Sequence, residues 1–359
     1  MTLDPSAVDA VYEAMRAKLH DVVPDVELRI KAPLVVEIQQ LKRERNAVIL
    51  GHNYMEPALY HTVPDFRGDS LELARRAAES TADVIVFCGV RFMAETAKIL
   101  NPSRTVLLPT PKGGCSLAES ITGADVRALK ERYPGVPVVC YINTSAEVKA
   151  ECDVCCTSGN AAAIIRALGP GPVIFVPDEF LAGNVARETG RPIIFPSAAP
   201  RAAASLDPHL TYEIVGWQGR CEVHEKFTVD DIRRVREQFP DAVVIAHPEC
   251  RPEVTAAADF TGSTSAAIRF VRESAAKRYL LLTECAMGDN IAADNPGKEM
   301  LRLCSVRCPH MGEITLEETR DALLHMRYVI DVPEETRLRA RRCLDRMLEM
   351  SASLLANAG

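Results

Sequence analysis

A helix, a short apolar run and a polar tip recur three times in this chain, and that repeat constrains the fold more than any other feature. Residues 34–46 have helical periodicity. The apolar residues 47–50 then read as a buried strand that delivers Gly51-His52-Asn53-Tyr54 at its carboxyl end. Residues 125–133 and the run 138–140 deliver Tyr141-Ile142-Asn143-Thr144 in the same way. Residues 229–239 and the run 242–246 deliver His247-Pro248-Glu249-Cys250. A second strand and helix follow in each copy: 84–89 with 94–100, 154–156 with 161–168, and 259–261 with 265–273. A third strand comes next, at 105–108, 172–176 and 278–282. On this alignment the first copy carries an insertion around residues 66–70 and the second one around 182–212.

Strands alternating with helices imply parallel sheets with right-handed crossovers, whose ligands bind beyond the carboxyl ends of the strands. The expected fold class is α/β: three homologous αβα units with parallel sheets around a pseudo-threefold axis, and a central active site. The units span residues 34–117, 118–223 and 224–312. A helical lead-in covers 1–33, with Pro24 and Pro33 as interruptions. A C-terminal helical cap covers 313–359, with helices expected over 316–329 and 334–355.

Each copy closes near a cysteine: Cys115, Cys221 and Cys308. Thiolates are the usual ligands of iron–sulfur clusters, and three widely separated ligands would leave one iron open to act on substrate. The competing reading is three unrelated core cysteines, since free Cys packs as a small apolar residue. The matching position in each copy raises the metal reading. Twelve cysteines fit a reducing compartment better than a disulfide scaffold in a chain of 359 residues. Cys152, Cys155 and Cys156 hold a C-x-x-C, but they fall in an expected strand with no second pair after them. Cys304 could substitute for Cys308 or act as its redox partner. Cys308 is preferred because Pro309 stops the chain after it.

The polar tips pair residues that share a face of extended chain: His52 with Tyr54, Tyr141 with Asn143, His247 with Glu249. A His–Glu pair suits general acid/base work. Ser70, Ser158, Ser263 and Thr264 stand at expected helix starts. They would cap those helices, and the free N–H groups there can also bind carboxylate or phosphate. The net charge of −7 leaves no footprint for nucleic acid, and no apolar run is long enough to span a membrane. With no signal-peptide pattern in residues 1–10, a cytoplasmic location is expected.

Taken together, Gly51-His52-Asn53-Tyr54, Gly68-Asp69-Ser70-Leu71, Tyr141-Ile142-Asn143-Thr144-Ser145, Trp217-Gln218-Gly219-Arg220-Cys221, His247-Pro248-Glu249 and Gly262-Ser263-Thr264 closely resemble the quinolinate synthase family, from about residue 34 to the end. The resemblance implies condensation of iminoaspartate with dihydroxyacetone phosphate to quinolinate, the precursor of the NAD pyridine ring, with loss of phosphate and two waters. It implies a 4Fe–4S cluster held by Cys115, Cys221 and Cys308 with one open iron. By motif, Tyr54 would donate or accept protons, Glu249 would be the acid/base near the iron, and His52, His224 and His247 would orient or protonate substrate. Ser70, Tyr141, Asn143, Ser158, Ser263 and Thr264 would hold its anionic groups. Transient contact with L-aspartate oxidase would follow from the instability of iminoaspartate. Two other readings stay open: the iron–sulfur enzyme of diphthamide synthesis, which also has three repeated units, and a non-catalytic iron–sulfur sensor.

Overall fold

The computed structural model describes residues 3–196, 213–303 and 306–356. Cys304 and the stretch 197–212 of the expected insertion lie outside them. Three sheets, parallel throughout, follow one another along the chain. The first contains β1 (Ala47–His52), β2 (Phe66–Gly68), β3 (Val84–Cys88) and β4 (Thr105–Leu107), in the order β2-β1-β3-β4. The second contains β5 (Val138–Tyr141), β6 (Val154–Cys156), β7 (Val173–Val176), β8 (Ile193–Ile194) and β9 (Ile214–Gly216), in the order β6-β5-β7-β9-β8. The third contains β10 (Val243–Ala246), β11 (Phe260–Thr261), β12 (Arg278–Leu282) and β13 (Glu299–Arg302), in the order β11-β10-β12-β13. This is a three-repeat α/β fold, as the sequence pattern implies.

The topology corrects the internal alignment. Strand order makes β2, β6 and β11 equivalent, so residues 66–70 are a regular part of the unit rather than an insertion. One hydrogen-bonding device marks the equivalence. Asp65, Asp153 and Asp259 each precede this edge strand, and each carboxylate accepts the N–H of a first-strand residue (Ile49, Val138, Val244) at 2.8 Å. The strand over 84–88 therefore matches β7 and β12, and 105–107 is a fourth strand. In the second unit the helix Glu179–Thr189 is regular too, matching Arg91–Leu100 and Cys285–Asp294. The surplus begins only after it, with β8.

Two helices also depart from expectation. Asp25–Glu44 runs through Pro33 without a break. Pro33 cannot donate to the carbonyl four residues back, but Leu28, Ala32, Val35, Ile38 and Leu41 are buried along one face, and that packing holds the helix. The helix begun at Leu316 ends at His325, because Met326 takes a left-handed conformation (φ 48°). Val329 instead bridges to Leu107 of β4. The last helix, Glu334–Ala356, packs on β6 and on helices of the first two units, with Cys343 against Cys140 of β5 at 3.6 Å between sulfurs. It fastens those two units together more than it covers the third.

The buried residues of the large core run from Tyr12 to Val215 and resume at Met311. Those of the third unit form two separate cores between Val223 and Val306. The carboxyl ends of the three sheets meet where these cores adjoin.

Candidate active site

Cys115, Cys221 and Cys308 each lie a few residues past the fourth strand of their unit, β4, β9 and β13. All three line one cavity of about 70 Å³. Cys115 caps the short helix Ser116–Glu119, and Cys308 caps Pro309–Gly312, its sulfur accepting the Met311 N–H at 3.5 Å. Cys221 precedes a single turn of 3₁₀-helix, His224–Lys226. Backbone N–H groups near each sulfur favour its thiolate form: those of Ala118 and Leu117 for Cys115, of His224 and Val223 for Cys221, and of Met311 and His310 for Cys308. Burial outweighs them. It pushes Cys115 up to about 12, Cys308 up to about 11, and Cys221 well above the ordinary thiol range. These groups keep their protons until a cation displaces them.

Three residues tie the cysteine loops to one another. His310 Nε2 meets Glu222 Oε1 at 3.1 Å, and its Nδ1 lies 3.5 Å from the Lys112 carbonyl. Ser116 Oγ donates to the Arg220 carbonyl and accepts the Glu222 N–H, both at 3.3 Å. Trp217 Nε1 donates to the Ser120 carbonyl at 3.0 Å. Gly219 is required by close approach: a Cβ there would meet Ser120 Oγ and come within 2.5 Å of the Pro177 carbonyl oxygen.

Opposite the sulfurs, a hydrogen-bonded chain crosses the site. Tyr54 Oη lies 2.6 Å from Thr283 Oγ1, which lies 2.8 Å from His224 Nε2. His224 Nδ1 is 2.8 Å from Glu249 Oε2 and 3.1 Å from Cys221 Sγ. Tyr141 donates to Glu249 Oε1 at 2.5 Å, and Asn143 does so at 3.4 Å. An ionised carboxylate only accepts, so His224 carries its proton on Nδ1. Thr283 Oγ1, which can both donate and accept, then links His224 Nε2 to the Tyr54 hydroxyl. Cys221, His224 and Glu249 present ligand atoms within 4.8 Å of one another.

Burial alone would raise the Glu249 carboxyl. His224, His247 and the Tyr141 hydroxyl overcome it and hold the group well below the usual carboxylate range. The same burial, with the Glu249 charge beside it, keeps the Tyr54 and Tyr141 phenols far above their ordinary value. Burial lowers His52 to about 4 and His247 to about 3, so both rings are neutral. His247 stacks on His224 at 4.6 Å, and Ser158 Oγ lies 3.3 Å from His247 Nε2.

The cavity is also lined by His52, Ser70, Asn143, Ser158, Thr264 and Met311. Ser263 stands aside from it. Its hydroxyl caps the helix Thr264–Glu273 and donates to Asp69 Oδ2 at 3.1 Å. Cys152, Cys155 and Cys156 are buried in or beside β6 and do not line the cavity. Sequence reasoning missed Thr283, Glu284, Lys149 and His310. Thr283 and Glu284 directly follow β12, a strand end like those that were read as site tips. The buried Lys149 ammonium holds the tip after β5 in place, donating to the carbonyls of Ile142 (2.8 Å) and Thr144.

Comparison with known proteins agrees with this picture. The profile of the family described as Quinolinate synthetase A protein matches residues 36–349. The chain is 49% identical to Quinolinate synthase 2 of Mesorhizobium japonicum over 347 residues, 97% of this chain and 99% of that protein. It is 48% identical to Quinolinate synthase of Caulobacter vibrioides, with 92% of this chain and 85% of that protein covered. It is 49% identical to the Agrobacterium fabrum protein of the same name, with 93% and 92% covered. The chain belongs to the quinolinate synthase family of enzymes.

Proposed function

We propose that this protein condenses iminoaspartate with dihydroxyacetone phosphate to quinolinate, releasing phosphate and two waters, in the synthesis of NAD. The observation that carries the reading is the convergence of three thiols, one from each unit, on the cavity that holds the Tyr54–Thr283–His224–Glu249–Tyr141 chain. The donor set fits a 4Fe–4S cluster on Cys115, Cys221 and Cys308. Three soft ligands share one dry pocket, and each sulfur meets backbone N–H groups of the kind that stabilise anionic sulfur. Bound there, the cluster supplies an open iron as Lewis acid for dehydration.

The protein's own groups have distinct tasks. Glu249, held ionised, takes protons from substrate carbon or nitrogen, and Tyr141 and His224 return them. Tyr54 protonates or deprotonates at the opposite end of the chain, drawing on His224 through Thr283. His52 and His247, neutral and buried, donate or accept hydrogen bonds without adding charge. Ser70, Asn143, Ser158 and Thr264 give the carboxylates and phosphate fixed donors, and Ser263 holds Asp69 behind them.

Among the described residues no helix is long and apolar enough to cross a membrane, and we place the reaction in the cytoplasm. Iminoaspartate would come from an aspartate oxidase in transient contact. Anaerobic purification with iron and sulfide analysis, followed by a quinolinate assay with both substrates, tests the reading. About four irons per chain with quinolinate formed is the expected result. Zinc in place of iron, or iron with no quinolinate, would sink it.

A further inference from the structure

A second, larger cavity of about 600 Å³ lies against the first, and Asp69 and Ser158 line both. It opens between the second and third units, where arginines on three helices face it: Arg166 on Ala161–Ala167, Arg187 on Glu179–Thr189 and Arg269 on Thr264–Glu273. Their charges are not all spent. Arg166 is neutralised by Glu188, at 3.0 Å. Arg187 bonds only neutral groups, the Pro252 carbonyl at 2.5 Å and the Thr255 hydroxyl at 2.9 Å. Arg269 is exposed and has no hydrogen-bond or ion-pair partner among the described residues. On the acidic side, Glu188 is taken by Arg166. Asp69 is turned inward, accepting the N–H groups of Leu71 and Glu72 and the Ser263 hydroxyl.

The outer cavity therefore holds two uncompensated guanidinium groups in a protein of net charge −7. Its lining carries three arginines against two carboxylates, Asp69 and Glu188, and such an excess of one sign focuses field and raises the local concentration of the opposite ion. Guanidinium forks suit phosphate oxygens in particular.

We propose that this outer cavity is a receiving site for phosphate, as the monoester on its way to the inner cavity and as the inorganic ion on its way out. Arg187 and Arg269 supply the attraction. The proposal rests on the reading above that the substrate carries a phosphate. Asp69 and Ser158 line both cavities, so an ion held in the outer one stands next to the inner one.

The test uses the cluster-loaded protein and inorganic phosphate as the probe, titrated by calorimetry at low ionic strength. It compares the wild type with Arg269→Glu and with Arg272→Glu. The second variant makes the same charge change on the same helix, outside the cavity. Phosphate affinity should fall about fivefold or more in Arg269→Glu and stay at the wild-type value in Arg272→Glu. In turnover, kcat/KM for the phosphorylated substrate should fall by a similar factor in Arg269→Glu, mostly through KM, and lose its dependence on ionic strength. Equal phosphate binding by all three proteins, or an equal loss in both variants, would overturn the proposal. Because the titration needs no turnover, a protein that bound phosphate through Arg269 but made no quinolinate would refute the functional reading and not the site.

Discussion

The Thr283 hydroxyl stands 2.6 Å from the Tyr54 hydroxyl and 2.8 Å from His224 Nε2, joining a residue of the first unit to one of the third. Thr283→Val keeps the volume and removes the link. It should lower kcat about 10²-fold, the usual worth of one positioned proton-transfer group. Thr283→Ser, which keeps the hydroxyl, should retain most of the rate. Steady-state kinetics of the two variants, with circular dichroism to confirm the fold, decides this. Equal activity in Thr283→Val and wild type would remove Thr283 from the relay.

The cysteines separate into two groups. Ser substitution at Cys115, Cys221 or Cys308 should abolish iron retention on gel filtration under anaerobic conditions. Cys155→Ala, at a site buried in β6 beside Cys140 of β5, should cost about 1 kcal/mol of stability and leave the iron in place. Iron lost from Cys155→Ala and kept by Cys221→Ser would reverse the assignment.

Gly219 tests how closely the loop bearing Cys221 is held. Gly219→Ala forces a methyl group onto Ser120 Oγ and the Pro177 carbonyl. The loop must move, at a cost of about 1–3 kcal/mol, and Cys221 moves with it. Iron content should drop while Gly297→Ala, where the added Cβ meets nothing, keeps full iron despite its own backbone strain (φ 89°).

Stability should respond to pH in two opposed ways. Burial raises Glu284 to about 7. Its stabilising contribution is complete below the unfolded value near 4.5 and is lost as pH rises through 7. Burial lowers His52 to about 4 and His247 to about 3, so their contribution is complete above 6.5 and fades as pH falls below it. Glu284→Gln removes only the first effect. Between pH 4.5 and 8 the stability of the wild type relative to this variant should fall by about 3 kcal/mol, read from anaerobic urea unfolding midpoints. A difference that does not change with pH would refute the buried, protonated Glu284.

Much of this site could be read from the chain because its residues sit at strand ends, where a buried apolar run announces the polar residues after it. His52, Tyr54, Tyr141, His247 and Glu249 were found in that way. The edge strand at Phe66 reads as an insertion in sequence because a three-residue strand has no periodicity to detect. The better signal was Asp65-Phe66-Arg67-Gly68 set against Asp259-Phe260-Thr261-Gly262, where the shared Asp performs the same bond to the neighbouring strand. Thr283 escaped notice because a lone Thr after a strand has an ordinary role as a helix or turn residue. Only the fold brings Tyr54 and His224 to its two sides. The same holds for His310, whose partners Lys112 and Glu222 are far away in sequence.

The separation of the third unit's cores from the large one makes the catalytic cavity a seam. Across it run Tyr54 to Thr283, Asn53 to Thr264, Tyr141 to Glu249, Ser158 to His247 and Asp69 to Ser263. These are polar contacts, each worth about 1 kcal/mol net because water replaces whatever is broken. Along this seam the units are joined by bonds that water can replace, whereas each core is held by packing that water cannot replace.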